Sequence, residues 1–162
     1  MHFGIFSYAL LAALAIALLV AAVTDLRRRE IDNWLNAAIA VGAPIFWFAS
    51  DFNYLEMGFQ VALAVIVFIV LVALFALGQM GGGDVKLLTA LALWIQPLWF
   101  LRLLVVMAVA GGLLTLVQWA WHKSRKHKHA MAVPYGIAIS IAGLWVLGHR
   151  YFPELHRSGL LG

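Results

Sequence analysis

Residues 61–77 read VALAVIVFIVLVALFAL, seventeen consecutive apolar residues without a charged or hydrogen-bonding side chain. The wider segment from Met57 to Gly78 adds only Gln60 as a polar side chain, and about 20 apolar residues of helix cross a bilayer. The whole chain shares this character, since 65% of its 162 residues are hydrophobic, 11% are charged and the mean hydropathy is +0.97. Soluble domains are about half apolar and about a quarter charged, so the composition predicts an integral membrane protein.

Five further apolar segments flank this one, and short polar stretches separate them. The pattern predicts an all-α, polytopic membrane helical bundle of about six transmembrane helices, the fourth of them short. No internal repeat or linker interrupts the chain, so we expect residues 1–162 to form one integral membrane domain. The predicted spans are Phe3–Thr24, Trp34–Ser50, Met57–Gly78, Val85–Ile95, Leu98–Trp121 and Ala130–Leu147.

The basic residues predict how these spans are oriented. No Lys or Arg precedes the first span, whereas three arginines follow it, which favours a retained helix over a cleaved signal peptide. Eight of the eleven Lys and Arg residues lie within two residues of the loops 25–33, 79–84 and 122–129. Because cytoplasmic loops carry the positive excess, these loops are predicted to be cytoplasmic and both termini to lie outside. The same clustering explains the formal charge of +4 without a nucleic-acid partner.

Other residue types narrow the chemistry. The chain has no cysteine, which excludes disulfides, thiolate metal sites and a cysteine nucleophile. Three histidines in residues 122–129 stand among four cations without a carboxylate, so we predict contact with anionic membrane lipids there and no metal site. Five tryptophans near predicted span ends suggest interfacial aromatic belts. They are Trp47, Trp94, Trp99, Trp119 and Trp121.

Two aspartates occupy costly positions at the ends of apolar segments. Asp25 directly follows the first apolar run, and Asp84 lies between three glycines and the fourth span. Two crossings separate them, which returns the chain to the same membrane face and places both carboxylates at one depth. Alone, Asp84 also fits a helix cap, and Asp25 an interfacial anchor paired with Arg28 or Arg29. The neighbouring Glu30 and Asp32 are read as local charge compensation.

A pair of adjacent carboxyl groups suits acid–base hydrolysis, because two such groups share one proton rather than both ionising. The ionised member can take a proton from water, and the protonated member can donate to a carbonyl oxygen. Gly81, Gly82 and Gly83 lack Cβ atoms and so allow an extended peptide to approach closely. Phosphate binding by this glycine run is rejected, because the Gly-Lys-Ser/Thr ending of a phosphate loop is absent.

Three segments carry a resemblance to a known family. Residues 80–88, MGGGDVKLL, resemble the GxGD signature of intramembrane aspartyl proteases in the form used by type IV prepilin peptidases. Residues 25–35, DLRRREIDNWL, resemble the segment of the same family that carries the first aspartate. Residues 133–139, VPYGIAI, resemble its C-terminal Pro-Tyr-Gly segment. Two positions depart from the pattern, since Asp32 replaces the proline usual before Asn33, and Ile137 replaces a proline frequent in larger members.

The resemblance is to the short branch of this family, associated with Flp/Tad-type pili, which lacks the cysteine-containing methyltransferase domain. It implies an endopeptidase that removes the basic leader of a membrane-anchored, prepilin-like precursor at the cytoplasmic face of the bacterial inner membrane, with no cofactor. It further implies that Asp25 and Asp84 are the catalytic pair. The residues that would shape the substrate cleft are Gly81, Gly82, Gly83, Lys86, Asn33, Pro134, Tyr135 and Gly136.

Several alternatives stay open at this level. Lys86 fits either a role beside Asp84 and the substrate or an interfacial lysine that extends to the headgroups. Pro134 and Tyr135 also fit a plain helix start with an interfacial ring. Two other functions are compatible with a small polytopic protein: a proton-coupled transporter using the aspartates as relay groups, and a non-catalytic subunit of a secretion machine. The oligomeric state is not predicted.

Overall fold

The structure, a computed structural model, describes residues 4–124 and 135–157. Within these ranges the chain forms six α-helices and no strand, which confirms the predicted all-α class and the number of helices. Two of them, α1 and α3, and residues 97–117 of α5 are long and apolar enough to cross a membrane. The helices are α1 (Ile5–Arg28), α2 (Asn33–Ala49), α3 (Tyr54–Ala76), α4 (Gly82–Trp94), α5 (Pro97–Ser124) and α6 (Tyr135–Arg157).

The helix ends differ from the predicted span ends where polar residues continue a helix. α1 runs one turn past Asp25 to Arg28, and α4 begins at Gly82 rather than Val85. α6 continues ten residues beyond the predicted end at Leu147, and its predicted start at Ala130 lies outside the described residues. The apolar pattern marks the part of a helix that contacts lipid, whereas the backbone hydrogen bonds continue into the polar flanks.

The short helix α4 lies at the centre of the bundle, packed against α2, α3 and α6. More than half of its residues are buried, including Leu87, Leu88 and Leu91 at 0% exposure. A helix that is apolar on every side lies either in a protein interior or in the membrane, and neighbouring helices cover α4. Its thirteen residues span about 20 Å, less than the hydrocarbon core, so its carboxyl end lies inside the bundle.

Side chains from two neighbouring helices bond to a carbonyl group near the end of α4, that of Leu93. The indole N–H of Trp47 and the amide of Gln60 both donate to the carbonyl oxygen of Leu93, at 2.8 and 3.2 Å. In return, the indole of Trp94 donates to the carbonyl oxygen of Ile39 at 2.8 Å. Free carbonyl groups at a helix end are costly away from water, so these bonds allow α4 to end within the bundle.

The expectation of interfacial tryptophans is wrong for two of the five. Trp47 and Trp94 are only 6% and 3% exposed, and the ring of Trp94 stacks on Phe46 with centroids 5.1 Å apart. The indole N–H of Trp47 donates to the carbonyl oxygen of Leu93 near the end of α4, and that of Trp94 donates to the carbonyl oxygen of Ile39 on α2, so both bond to the protein interior. The side chains of Trp119 and Trp121 lie outside the described part of the structure.

The apolar surface is concentrated on α3 and the apolar part of α5, where only 17% of the most apolar window is buried. Large side chains such as Ile66, Ile69 and Leu113 are about 60% exposed. A water-soluble monomer rarely exposes so much contiguous apolar surface. These helices therefore present the lipid-facing side of a membrane protein.

Glycines bring α6 close to both α1 and α5. A Cβ atom at Gly143 would lie 2.8 Å from Leu18 Cδ1 of α1, and one at Gly111 of α5 would lie 3.3 Å from the ring of Tyr135. Small residues at such positions let membrane helices approach each other closely. The first turn of α6 is thereby held beside the last turn of α1, where Asp25 lies.

Candidate active site

Asp25 lies in the last turn of α1, directly after the apolar run. Its side chain is only 6% exposed, which is unusual for an aspartate at a helix end. The helix ends at Arg28, and Arg29 adopts the left-handed conformation at φ 54°, with its N–H donating to the carbonyl oxygen of Asp25 at 2.8 Å. This turn directs residues 30–32 back across the end of α1. Arg28 pairs with Asp32 at 3.1 Å rather than with Asp25, which confirms the predicted charge compensation for Asp32.

The amino end of α6 faces the Asp25 carboxylate. The backbone N–H groups of Gly136 and Ile137, in the first turn of α6, approach it, and they belong to the set that has no partner within a helix. A Cβ atom at position 136 would lie 2.7 Å from Asp25 Oδ2. That oxygen has no hydrogen-bond partner of ordinary geometry in the described residues. Because Gly136 has no side chain, the Asp25 carboxylate can lie directly against the amino end of α6.

Asp84 is the third residue of α4, and Gly81 is the N-cap. The backbone N–H of Gly81 lies close enough to the Asp84 carboxylate to lower its pKa, as in one half of a capping box. The interpretation of Asp84 as the N-cap residue is therefore wrong, because Gly81 holds that position and Asp84 is already inside the helix. An ordinary capping carboxylate lies at the protein surface, whereas Asp84 is only partly exposed and lies opposite Asp25.

The three glycines before Asp84 each meet a different neighbour. A Cβ atom at Gly81 would lie 3.0 Å from Asp84 Oδ2, and one at Gly82 would lie 3.4 Å from the ring of Phe75. A Cβ atom at Gly83 would lie 3.4 Å from the Cβ of Ile31. Their small size allows the start of α4 to pack against α3 and against the loop between α1 and α2, which brings Asp84 towards Asp25.

Ile31 links the two halves of the site, and the sequence reasoning did not select it as a site residue. It is 7% exposed, contacts Gly83 of α4, and its Cδ1 would lie 2.9 Å from a Cβ atom at Gly136 of α6. One apolar side chain thus separates the glycines that adjoin Asp84 and Asp25. The sequence feature that could have identified Ile31 is its position as a single apolar residue between Glu30 and Asp32 in a polar loop.

Both aspartates line one polar cleft of about 340 Å³ between the end of α1, the start of α2 and the start of α4. Burial, and secondarily the negative charge of Asp25, raise the pKa of Asp84 to about 6, and the N–H of Gly81 opposes this shift. Asp84 lies ahead of the apolar segment that begins at Val85. The cleft therefore holds two carboxyl groups that influence each other's charge, the arrangement that allows one proton to be shared. The lining residues are Asp25, Arg29, Glu30, Ile31, Asn33, Gly81, Gly82, Gly83 and Asp84.

Of the other residues predicted to shape the cleft, some line it and some lie elsewhere. Asn33 lines the cleft, and Lys86 donates to Asn33 Oδ1 at 2.7 Å, so its ammonium contacts α2. The ring of Tyr135 packs beside Gly111 of α5 and does not line the cleft. Pro134 lies outside the described residues, as do the histidine side chains in 122–129 for which no metal site was predicted.

The chain matches a known protein family. The model of the type IV leader peptidase family matches residues 12–116, which is well over half of the chain and includes both aspartates. No curated protein and no solved structure matches the chain significantly. The matched segment covers most of α1, all of α2, α3 and α4, and most of α5.

Proposed function

Since this chain belongs to the type IV leader peptidase family and is a membrane protease of that kind, we propose that it is an aspartic endopeptidase with Asp25 and Asp84 as its catalytic pair. Its substrate would be the precursor of a type IV prepilin-like, Flp-type subunit, from which it removes the basic leader. The observation that carries this proposal is that two carboxyl groups, distant in sequence and on different helices, line the same polar cleft.

The geometry supports different roles for the two carboxyl groups. Asp84, whose pKa is raised to about 6, holds the shared proton, and Asp25, faced by two backbone N–H groups, is the carboxylate. Asp25 takes a proton from water as the water oxygen adds to the scissile carbonyl carbon, and Asp84 gives its proton to the carbonyl oxygen. The C–N bond of the tetrahedral intermediate then breaks, the amine leaves with the proton held by Asp25, and one hydroxyl group returns its proton to Asp84 as the carbonyl of the acid forms again. Water and the two carboxyl groups complete the reaction without a cofactor.

The basic residues support a cytoplasmic position for the cleft. Arg27, Arg28 and Arg29 adjoin Asp25, and Lys86 follows Asp84, which agrees with the excess of positive charge in cytoplasmic loops. In this proposal the protein crosses the bacterial inner membrane several times, with both termini outside. The chain contains no cysteine, so paired cysteines of the kind found in the methyltransferase domain are absent, and we propose cleavage without methylation.

Cleavage of a candidate Flp-type precursor tests the proposal. Co-expression with the wild-type protein is expected to give a mobility shift, and mass spectrometry of the product would locate the cut after the basic leader. Asp25→Asn and Asp84→Asn are each expected to abolish the shift while the protein still inserts in the membrane. Asp51→Asn is the matched control, because Asp51 is exposed in the turn between α2 and α3, and its left-handed conformation at φ 52° suits asparagine.

Two results would reject the aspartic mechanism. If both Asp25→Asn and Asp84→Asn cleave like the wild type, the pair is not catalytic. If Asp51→Asn fails to the same degree as they do, the loss reflects folding rather than chemistry. A proton-coupled transporter would require carboxyl groups near the middle of the membrane, whereas both aspartates lie at helix ends.

A further inference from the structure

An apolar groove continues from the catalytic cleft along the side of the bundle. It has a volume of about 370 Å³ and runs between α2 and α4, with one side chain, Phe68, from α3. We call it the α2–α4 groove. Asn33 lines both this groove and the catalytic cleft, so the two spaces meet at the start of α2. Small side chains, Ala37 and Ala40 on α2 and Ala90 on α4, form much of its wall.

Asn36 is the exceptional residue in this groove. Its side chain lines the groove, is only 5% exposed, and neither its Oδ1 nor its Nδ2 has a hydrogen-bond partner in the described part of the chain. The other interior polar group, Thr89, donates to the carbonyl oxygen of Val85 on its own helix. A buried amide with no partner is unfavourable, so its presence indicates a ligand that supplies both an acceptor and a donor.

The chemistry of Asn36 and the shape of the groove restrict that ligand. A lipid acyl chain could fill an apolar groove, but it offers nothing to a carboxamide. A helix that packs against small residues comes close enough for its backbone to be reached. The first N–H groups of such a helix are free, and the peptide just before it is extended, so both backbone donors and acceptors are available there.

We propose that the α2–α4 groove holds the start of the apolar helix of the substrate, and that Asn36 hydrogen-bonds to the substrate backbone where this helix begins. This inference rests on the proposed function, since it takes a membrane-anchored precursor as the substrate. Asn36 is a positioning residue here: it does not touch the scissile bond but determines where along the substrate the cut is made.

The spacing supports this arrangement. Asn36 lies three residues after Asn33, about 4.5 Å farther along α2 from the junction with the cleft. An extended chain advances about 3.3 Å per residue, so the contact falls within one or two residues of the point where the substrate leaves the cleft. Lys86, bonded to Asn33 at the mouth of the groove, lies beside the same part of the substrate.

Disulfide cross-linking tests the position of the substrate, and the absence of native cysteine makes each introduced cysteine unique. Ala40→Cys places a thiol in the groove, and Val41→Cys places one on the lipid-facing side of the same helix, where Val41 is 65% exposed. Each is combined with Asp84→Asn, which keeps the substrate intact, and with single cysteines along the apolar helix of the precursor. Disulfides form only when the Cα atoms approach within about 7 Å. Ala40→Cys is expected to cross-link to cysteines within the first two turns of the substrate helix. Val41→Cys is expected to form no cross-link.

Kinetics of Asn36→Leu test the role of the carboxamide. Leucine has nearly the same volume and removes an unpartnered polar group, so the melting temperature is expected to stay the same or rise. The KM for the membrane-anchored precursor is expected to increase about tenfold, with kcat changed by less than about twofold. An unchanged KM, or a lower melting temperature without a change in KM, would overturn the assignment.

Failure of this inference is distinct from failure of the proposed function. If the wild-type protein cleaves the precursor but Ala40→Cys gives no cross-link, or gives no more than Val41→Cys, the groove does not hold the substrate helix. If the wild-type protein cleaves no precursor, the proposed function itself fails, whatever the cross-linking result.

Discussion

Gly136 of α6 lies directly against Asp25 of α1, so that a Cβ atom at position 136 would be 2.7 Å from Oδ2 and 2.8 Å from Cγ of the carboxyl group. The two residues are 111 positions apart in the chain. The contact places the free N–H groups of a helix amino end beside the buried aspartate. It gives Gly136 a physical role, which is to orient one member of the proposed catalytic pair.

Gly136→Ala is therefore expected to lower cleavage activity at least about a hundredfold, because Asp25 must move by a large fraction of an ångström or more to avoid the new methyl group. Gly148→Ala, on the same helix with open space around its Cα, is the control and should leave activity unchanged. Precursor cleavage in detergent measures both. Equal activity of the two variants would show that the position of Asp25 does not depend on this contact.

Gly81→Ala tests the position of Asp84 in the same way. The added methyl group would lie 3.0 Å from Asp84 Oδ2 and displace a short, movable side chain, so activity should fall by about tenfold or more with little change in stability. Gly78→Ala should instead lower stability and leave activity unchanged. Gly78 has φ +70° and no neighbour within 4 Å, so alanine there strains the backbone by about 1 kcal/mol without touching the cleft. Melting temperature and cleavage rate, measured together, separate the two effects.

The pKa of Asp84 predicts the alkaline limit of the reaction. Asp84 donates a proton in the proposed mechanism, and its pKa is raised to about 6. As the pH rises through this value the donor is lost, so kcat/KM should decrease about tenfold per pH unit above it. A pH profile of kcat/KM from pH 4 to 9 measures this limit. A flat profile between pH 5 and 8 would contradict the role of Asp84 as the proton donor.

The same shift predicts how stability depends on pH. Because the pKa of Asp84 is higher in the folded state than the ordinary value of 3.8 for an aspartate, the folded state binds the proton more tightly. The resulting stabilisation relative to the ionised state is complete below about pH 4 and is lost as the pH rises through about 6. Asp84→Asn, which has no charge to bury, should therefore be more stable than the wild type by about 2 kcal/mol at pH 7.5. Thermal unfolding of both proteins at pH 7.5 and at pH 4 measures this. The difference in stability between Asp84→Asn and the wild type should disappear near pH 4.

The packing of α4 gives a prediction about stability alone. A Cβ atom at Gly42 would lie 2.8 Å from Cζ2 of the buried Trp94, so Gly42→Ala should lower the free energy of unfolding by about 1–3 kcal/mol. Gly58→Ala on α3 has nothing within 4 Å and should be neutral or slightly stabilising. Chemical unfolding in detergent compares the two variants. If both behave alike, the tight fit of Trp94 against α2 does not contribute to stability.

Much of the fold could be predicted from apolar segment length. The number of helices, the all-α class and the short fourth helix follow from runs of apolar residues separated by polar ones, because a bilayer requires each segment to satisfy its own backbone. The positions of Trp47 and Trp94 could not be predicted in this way. Both lie near segment ends in the sequence, but the short α4 ends inside the bundle, where Trp47 donates to the carbonyl oxygen of Leu93 on α4 and Trp94 to that of Ile39 on α2.

The chain by itself therefore determined that this is a helical membrane protein of the type IV leader peptidase family, and it singled out Asp25 and Asp84 as the acidic residues at segment ends. Only the tertiary structure decided that Ile31 lies between Gly83 and Gly136, that α6 directs its amino end at Asp25, and that Asn36 remains without a partner in a groove that adjoins the cleft. The reason is physical: segment length and charge act locally along the chain, whereas close contacts and unpaired polar groups arise only when helices distant in sequence pack together.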